Sequence, residues 1–264
     1  MIAKALNFVA LVPRRPTEAL DRLSAVVQSR WEARHLRRGQ YHSYGLDDVL
    51  QIAGKAIKSN LCDFLAEPQL GELENAIEAR WKSFFLDGPF QMAHNGDISL
   101  GRLCYCTTRA ICPETVVETG VCYGVTSSFI LQALQCNAKG HLYSIDLPPL
   151  HHSADGVVGR LIPESLRNRW TLHRGSSRRL LGPLLKSLDS IGLFVHDSLH
   201  TYRNMKMEMN LAWSAMCPGG VLIADDVQGN RAFQEISESE NATCAIVLAE
   251  ERKAASCGLI VKPS

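Results

Sequence analysis

The chain has 264 residues, 46% of them apolar and 21% charged, with 28 basic against 27 acidic side chains and a formal net charge of +1. This is the composition of an ordinary globular protein with enough material for a sizeable core. The near-neutral balance argues against a nucleic-acid binder, which needs a strongly basic face, and no apolar run is long enough to span a bilayer.

The first stretch, MIAKALNFVALVPRR, has a short apolar run with no basic segment before it and no small-residue cleavage site. It reads as a packing helix rather than a signal peptide, with shallow membrane association as the lesser alternative. Next come three helical stripes. Leu20, Leu23, Val26, Val27 and Trp31 make one, with Thr17 as its expected N-cap. Val49, Ile52, Ala53, Ala56 and Ile57 make the second. Leu70, Leu73, Ile77, Trp81 and Phe84 make the third, opened by Pro68. Arg30, Arg34, Arg37 and Arg38 read as a solvated helix face. The Gly, Pro, Asn and Asp of LDGPFQMAHNGD predict a loop, and a further helix is expected from about Leu100 to Ala110. Residues 1–111 are thus expected to form a helical cap, a dimerisation region giving a homo-oligomer, or both, with the loop Phe90–Asp97 closing over a site in the second part.

From residue 112 the character changes. Short apolar runs alternate with helical stretches: TVVE (115–118), HLYSIDL (141–147), WTLHRG (170–175), IGLFVHD (191–197), GVLIADD (220–226), TCAIVLA (243–249) and CGLIVK (257–262). Strands separated by helices imply a doubly wound, mostly parallel α/β sheet of seven strands. The gap EERKAAS is too short for a helical crossover, so the final pair is expected to be antiparallel. Nine cysteines, at 62, 104, 106, 112, 122, 136, 217, 244 and 257, form no CxxC. Cys104, Cys106 and Cys112 are poorly spaced for a metal and fit core packing better, in a reduced, cytoplasmic setting.

Ligands of such sheets sit beyond the carboxyl ends of the strands, and there the polar residues gather: Glu118, Asp146, Gly175 to Ser177, Asp197, Asp225 and Asp226. In VVETGVCYGVTSSFI, Gly120 and Gly124 allow a tight turn around Tyr123, and Thr126 to Ser128 open a helix whose free N–H groups suit an anion. The spacing is GxxxG, not the GxGxxG of nicotinamide enzymes. Glu118 would repel a pyrophosphate but attract an ammonium or sulfonium. Asp146 could accept the hydroxyl protons of a ribose or cap a helix.

In order, ETGVCYG, YSIDL, FVHDSLHTY and PGGVLIADD resemble the successive motifs of class I S-adenosylmethionine-dependent methyltransferases. They are most similar to the metal-dependent O-methyltransferases of the catechol type and of the macrolide- and aminocoumarin-sugar type. The resemblance covers about residues 112–264. It implies S-adenosylmethionine as cofactor, with Glu118 and Gly120 at the methionine moiety, Thr126 at its carboxylate, Asp146 at the ribose, and Ser176 and Ser177 beside the adenine. Asp197, Asp225 and Asp226 end neighbouring strands and would converge on Mg2+ or Mn2+. Catechol-type enzymes carry Asn where Asp226 stands, so Asp226 as a turn cap is the alternative. His200 follows Asp197 by three residues, where those enzymes place lysine, and is the expected general base; capping the next helix is its bland reading. His196 points to the opposite face and reads as structural, while His151, His152, Arg178 and Arg179 read as solvated. The expected activity is cation-assisted O-methylation of a small sugar, polyketide or phenol. A metal-independent N- or O-methyltransferase and a cofactor-binding accessory protein are the alternatives.

Overall fold

A computed structural model describes residues 8–264 apart from 10, 37, 85–89, 91–95, 152–153, 240–241 and 252–253. Helical turns at residues 8–9 and 11–14 precede α1 (Pro16–His35). The next elements are β1 (Ser43–Tyr44), α2 (Leu46–Ile57), α3 (Pro68–Phe84) and α4 (Ile98–Ile111). The alternating part follows: β2 (Thr115–Thr119), α5 (Val125–Cys136), β3 (His141–Asp146), β4 (Trp170–Arg174), α6 (Ser177–Ser187), β5 (Ile191–His196), α7 (Tyr202–Ala215) and β6 (Met216–Ala224). The described chain closes with α8 (Ala232–Ser239), β7 (Cys244–Ala249) and β8 (Ser256–Val261).

The strands form one eight-stranded sheet in the order β1-β7-β8-β6-β5-β2-β3-β4. All seven expected runs are strands, and β7 and β8 pair antiparallel as anticipated. β8 also runs antiparallel to β6. The eighth strand, β1, is the addition: Ser43 and Tyr44 pair in parallel with Val247 and Leu248. Two residues have no period to reveal them.

Alternation explains why the sheet is covered on both faces. Val116, Leu193, Val195, Val221 and Ile223 point to a core with Val49, Leu50, Leu61, Leu100, Leu103 and Phe129. The residues between them, Val117, Phe194, Leu222 and Ala224, point to a second core with Leu181, Met205, Met209, Trp213, Phe233 and Ile236. Each fully buried Val, Leu, Ile, Phe or Met among them contributes about 1.5–3 kcal/mol. The stripe of α3 behaves as expected through Leu70, Leu73 and Ile77, and that of α2 through Val49 and Ala53, although Ile52 faces solvent. All nine cysteines are free thiols.

Helix α1 reverses the expectation. Its stripe of Leu20, Leu23, Val26, Val27 and Trp31 faces solvent, and its polar side is turned inward. Glu18 Oε1 accepts from Arg22 Nη2 at 2.7 Å and Glu18 Oε2 from Arg174 Nη1 at 2.7 Å. Asp21 accepts from Ser176 and Arg179, and Gln28 donates to Thr201 Oγ1. Glu32 accepts from the backbone N–H groups of Tyr202 and Arg203. Arg22 Nη2 also donates to the carbonyl of Pro148 at 2.6 Å. Together these contacts carry α1 across the carboxyl ends of β3 to β5. Thr17 is not the cap: the helix starts at Pro16, whose missing N–H and fixed φ suit a first turn, with Arg15 before it.

Candidate active site

Parallel register builds the site's edge. Thr119 pairs with His196, and His196 with Ala224, so Asp197 and Asp225 each emerge one residue past a paired position. The ladder bonds continue there: Asp197 N–H donates to the Thr119 carbonyl and Asp225 N–H to the His196 carbonyl, both at 2.8 Å. The strand order reverses between β2 and β5, since β3 and β4 continue on one side and β6 on the other. Such a switch point opens a crevice beyond the strands.

Gly120 sits in that crevice at φ +87°, and a Cβ on it would lie 1.8 Å from the Asp197 carbonyl oxygen. The glycine is therefore required by the close approach of the β2 and β5 ends, as well as by its backbone angle. Gly124, at φ +88°, precedes α5, and a Cβ there would meet Gly159 and Ile162 at under 3 Å. The turn is fixed from the side by Asp146, whose Oδ2 accepts from the N–H groups of Val121 (2.7 Å) and Cys122 (3.0 Å). Burial raises the Asp146 carboxyl, and these two bonds oppose the rise.

Glu118 is fully buried. Its Oε2 accepts from Ser127 (2.6 Å) and Ser144 (2.8 Å), and its Oε1 has no hydrogen-bond partner among the described residues. Burial pushes its carboxyl up to about 7; the two hydroxyls offset part of that and the Asp146 charge adds to it. A cationic ligand would relieve that burial by favouring the ionised form. Thr126, in the first turn of α5, also keeps its buried Oγ1 without a partner among the described residues. Gly96 lies against it, since a Cβ there would be 2.1 Å from Thr126 Oγ1 and 3.8 Å from Asp197 Oδ2. Phe90 packs edge-on against the buried Tyr123, ring centroids 5.0 Å apart. The two ends of the loop Phe90–Asp97 therefore flank the crevice, while residues 91–95, on which its closing role rests, lie outside the described residues. Ser176 precedes α6, opened by Ser177, and the Ser176 hydroxyl donates to Asp21 of α1 at 2.7 Å.

Beside this pocket, ligand atoms of Asp197, His200 and Asp225 all lie within 4.8 Å of one another. His200 Nε2 stands 3.8 Å from Asp197 Oδ1 and 3.5 Å from Asp226 Oδ2. Burial and the neighbouring His196 lower the His200 pKa from its ordinary value, against the pull of Asp225 and Asp226. The imidazole is therefore neutral at neutral pH and able to accept a proton. It does not cap α7, which is preceded by Thr201. Asp226 adopts the left-handed conformation at φ 53° before the turn Val227–Gly229 and accepts from Gln228 Nε2 at 3.0 Å. Its carboxylate thus borders the cluster without being one of the three groups that converge.

His196 points away, as expected, and Nδ1 lies 2.6 Å from Glu208 Oε2 in the interior. Thr119, Ser198 and Asn204 also donate to Glu208. Burial alone would raise that carboxyl, yet His196 and the donors hold it well below the usual range. The pair secures the two loops that follow β2 and β5. Sequence reading missed Glu208, a buried acid of α7, and the inward acids of α1. Their signal was present: Glu18, Asp21 and Glu32 share one helix face opposite the apolar stripe. His151 is exposed and His152 lies outside the described residues.

A family model described as "Methyltransferase domain" matches residues 117–227. Among solved structures, an O-methyltransferase from Bacillus cereus in complex with S-adenosylhomocysteine is 17% identical with a TM-score of 0.54, covering 81% of this chain and 97% of its own. A crystal structure from Klebsiella pneumoniae described as a "putative O-methyltransferase" is 18% identical with a TM-score of 0.53, covering 82% and 97%. TomG from Streptomyces achromogenes, an O-methyltransferase of tomaymycin synthesis in complex with S-adenosylmethionine, is 17% identical with a TM-score of 0.52, covering 74% and 90%. At such identities the likeness is one of fold. No curated protein matches the sequence. The motif reading and the family match agree on a methyltransferase domain over residues 117–227, and the fold is the one shared by these solved structures. It is an enzyme of methyl transfer.

Proposed function

We propose that the protein transfers a methyl group from S-adenosylmethionine to a hydroxyl of a small molecule, with a divalent cation, Mg2+ or Mn2+, held by Asp197 and Asp225. The observation that carries this reading is the convergence of Asp197, His200 and Asp225 within 4.8 Å at the mouth of the Gly120 crevice. The donor set fits a hard cation, because two carboxylates meet where strand ends would otherwise bring like charges together.

In this reading Glu118 and the Gly120 turn receive the cationic methionine end, Thr126 its carboxylate and Asp146 the ribose. The adenine lies by Ser176 and Ser177, under α1. The cofactor supplies a methyl group already activated on sulfonium, and the cation, when bound, lowers the pKa of an acceptor hydroxyl. Neutral His200 takes the acceptor proton on Nε2, and the Asp226 carboxylate 3.5 Å away then stabilises the imidazolium. The fixed strand ends hold acceptor and cofactor in line. A polar cleft and the complexes of the Bacillus and Streptomyces neighbours support the cofactor assignment. Residues 1–111 supply α1 as a cap over the cofactor side.

A second reading makes His200 Nε2 the third metal ligand, which the 4.8 Å grouping favours. Calorimetry with Mn2+ alone separates the two. If His200 is the base, His200→Ala leaves Mn2+ affinity unchanged and lowers kcat by about 100-fold. If it is a ligand, Mn2+ affinity falls with it. Equal Mn2+ uptake by the parent, Asp197→Asn and Asp225→Asn removes the metal site. The methyltransferase reading survives that result if S-adenosylmethionine still binds and turnover resists a chelator.

A further inference from the structure

The outward face of α1 has no partner among the described residues. Leu20 is 63% exposed, Val27 60% and Trp31 50%, and Leu23 and Val26 extend the same stripe. Five large apolar side chains on one helix face are costly to leave in water. The exposed charged side chains of α1 and of the residues flanking it in the chain are basic. Arg14, Arg15, Arg30, Arg34 and Arg38 are exposed, while the helix's three acids, Glu18, Asp21 and Glu32, are turned inward and bonded to the domain. A groove of about 410 Å³ beside Leu20 is lined by Asp21, Ser24, Arg178 and Arg179; Arg179 is paired with Asp21, so Arg178 alone extends the basic character onto α6.

We propose that this face docks on an anionic lipid bilayer, with α1 lying in the plane of the headgroups. A tryptophan and branched aliphatics flanked by arginines, with no outward acid, is the pattern of an interfacial helix. Arginine heads reach the lipid phosphates while their stems lie along the apolar surface. A second copy of the chain fits less well. Two such faces brought together would set arginine against arginine, and α1 offers no outward carboxylate to pair with them. No helix among the described residues is long and apolar enough to cross a membrane, so the contact is with the surface. The polar attachments of α1 to Arg174, Ser176, Thr201 and α7 stay intact in this pose, because they use the opposite side of the helix.

The test is co-sedimentation of the full chain with vesicles of phosphatidylcholine alone and of phosphatidylcholine mixed with phosphatidylglycerol. The parent is expected to pellet with the mixed vesicles only, and less so as salt is raised. Arg30→Glu with Arg34→Glu should weaken that partition at least about 25-fold, near fivefold per arginine removed. Leu20→Ser with Val27→Ser and Trp31→Ser should abolish it. Both variants should keep the parent's circular dichroism and S-adenosylmethionine affinity, because neither touches an inward contact. Equal pelleting of parent and variants, or none with either vesicle, overturns the proposal. So does a dimer in solution that dissociates on the Leu20, Val27 and Trp31 substitutions, since the face is then covered by a second copy.

Discussion

Glu118→Gln tests the electrostatics of the cofactor pocket without any knowledge of the acceptor. Glu118 has no solvent exposure, and its carboxyl is pushed up to about 7 from an ordinary 4.5. The folded state therefore keeps a proton that the unfolded chain releases over that interval. The associated stability is fully present below the unfolded value and is lost as pH rises through the folded one. A gap of about 2.5 units corresponds to about 3 kcal/mol at most. Between about pH 5 and about pH 8 the ligand-free protein should lose about 2–3 kcal/mol from this residue alone, or roughly 5–10 °C in Tm for a chain of this size. Glutamine can accept from Ser127 and Ser144 through its amide oxygen but does not titrate, so the loss should vanish. The assay is thermal or urea unfolding of both proteins across that range. The difference between the two curves isolates position 118 from other titrating groups. Parallel curves, separated by a constant amount, would show that Glu118 ionises normally and that its burial carries no charge penalty. A bound cation should reverse the slope: with S-adenosylmethionine saturating, Glu118 is held ionised and the parent regains stability at high pH, which Glu118→Gln does not.

Other consequences are equally direct. Gly120→Ala should destabilise the fold by roughly 2–4 kcal/mol, because the new methyl meets the Asp197 carbonyl and the residue keeps a positive φ; urea unfolding measures it. Glu18 is raised by burial but brought down to about 2 overall by its bonds to Arg174 and Arg22 and their charges. The stability it lends α1 is thus present above its ordinary value and is lost as pH falls toward 2, so hydrogen exchange in α1 should accelerate in acid before the sheet opens. Glu18→Gln should show that fast exchange already at neutral pH. His200→Ala should leave the cofactor dissociation constant unchanged while kcat falls by about 100-fold, and a kcat within threefold of the parent would exclude His200 as the base.

The sheet was legible because buried strands leave a dense signal. Runs such as GLFVH and GVLIA alternate between two apolar layers, and their ends carry the only acids of those runs. The crevice residues were legible for the same reason, since register converts a strand end into a position in space. Asp197 and Asp225 meet because His196 pairs with Ala224. What periodicity did not reveal was which side of α1 faces the protein. A stripe of Leu, Val and Trp reads as inward by default, and that default fails when ionic and hydrogen-bonding partners such as Arg174, Ser176 and the α7 amides wait on the protein side. Asp226 illustrates a second limit. Two adjacent aspartates read alike, but the left-handed turn at Asp226 sends its carboxylate to Gln228 while Asp225 stays in the ladder.

β1 has a temporal implication. Ser43 and Tyr44 find their pairing partners only in Val247 and Leu248, and Gly39 donates to the Gln228 carbonyl on the way there. A ribosome that has delivered Ser43 and Tyr44 must finish nearly all the rest before those two residues have a strand to join. Separations of this length slow folding. β1 is therefore among the last strands to pair, and truncation before β7 should free Ser43 and Tyr44 while α1 stays held by Arg174, Ser176 and the α7 amides.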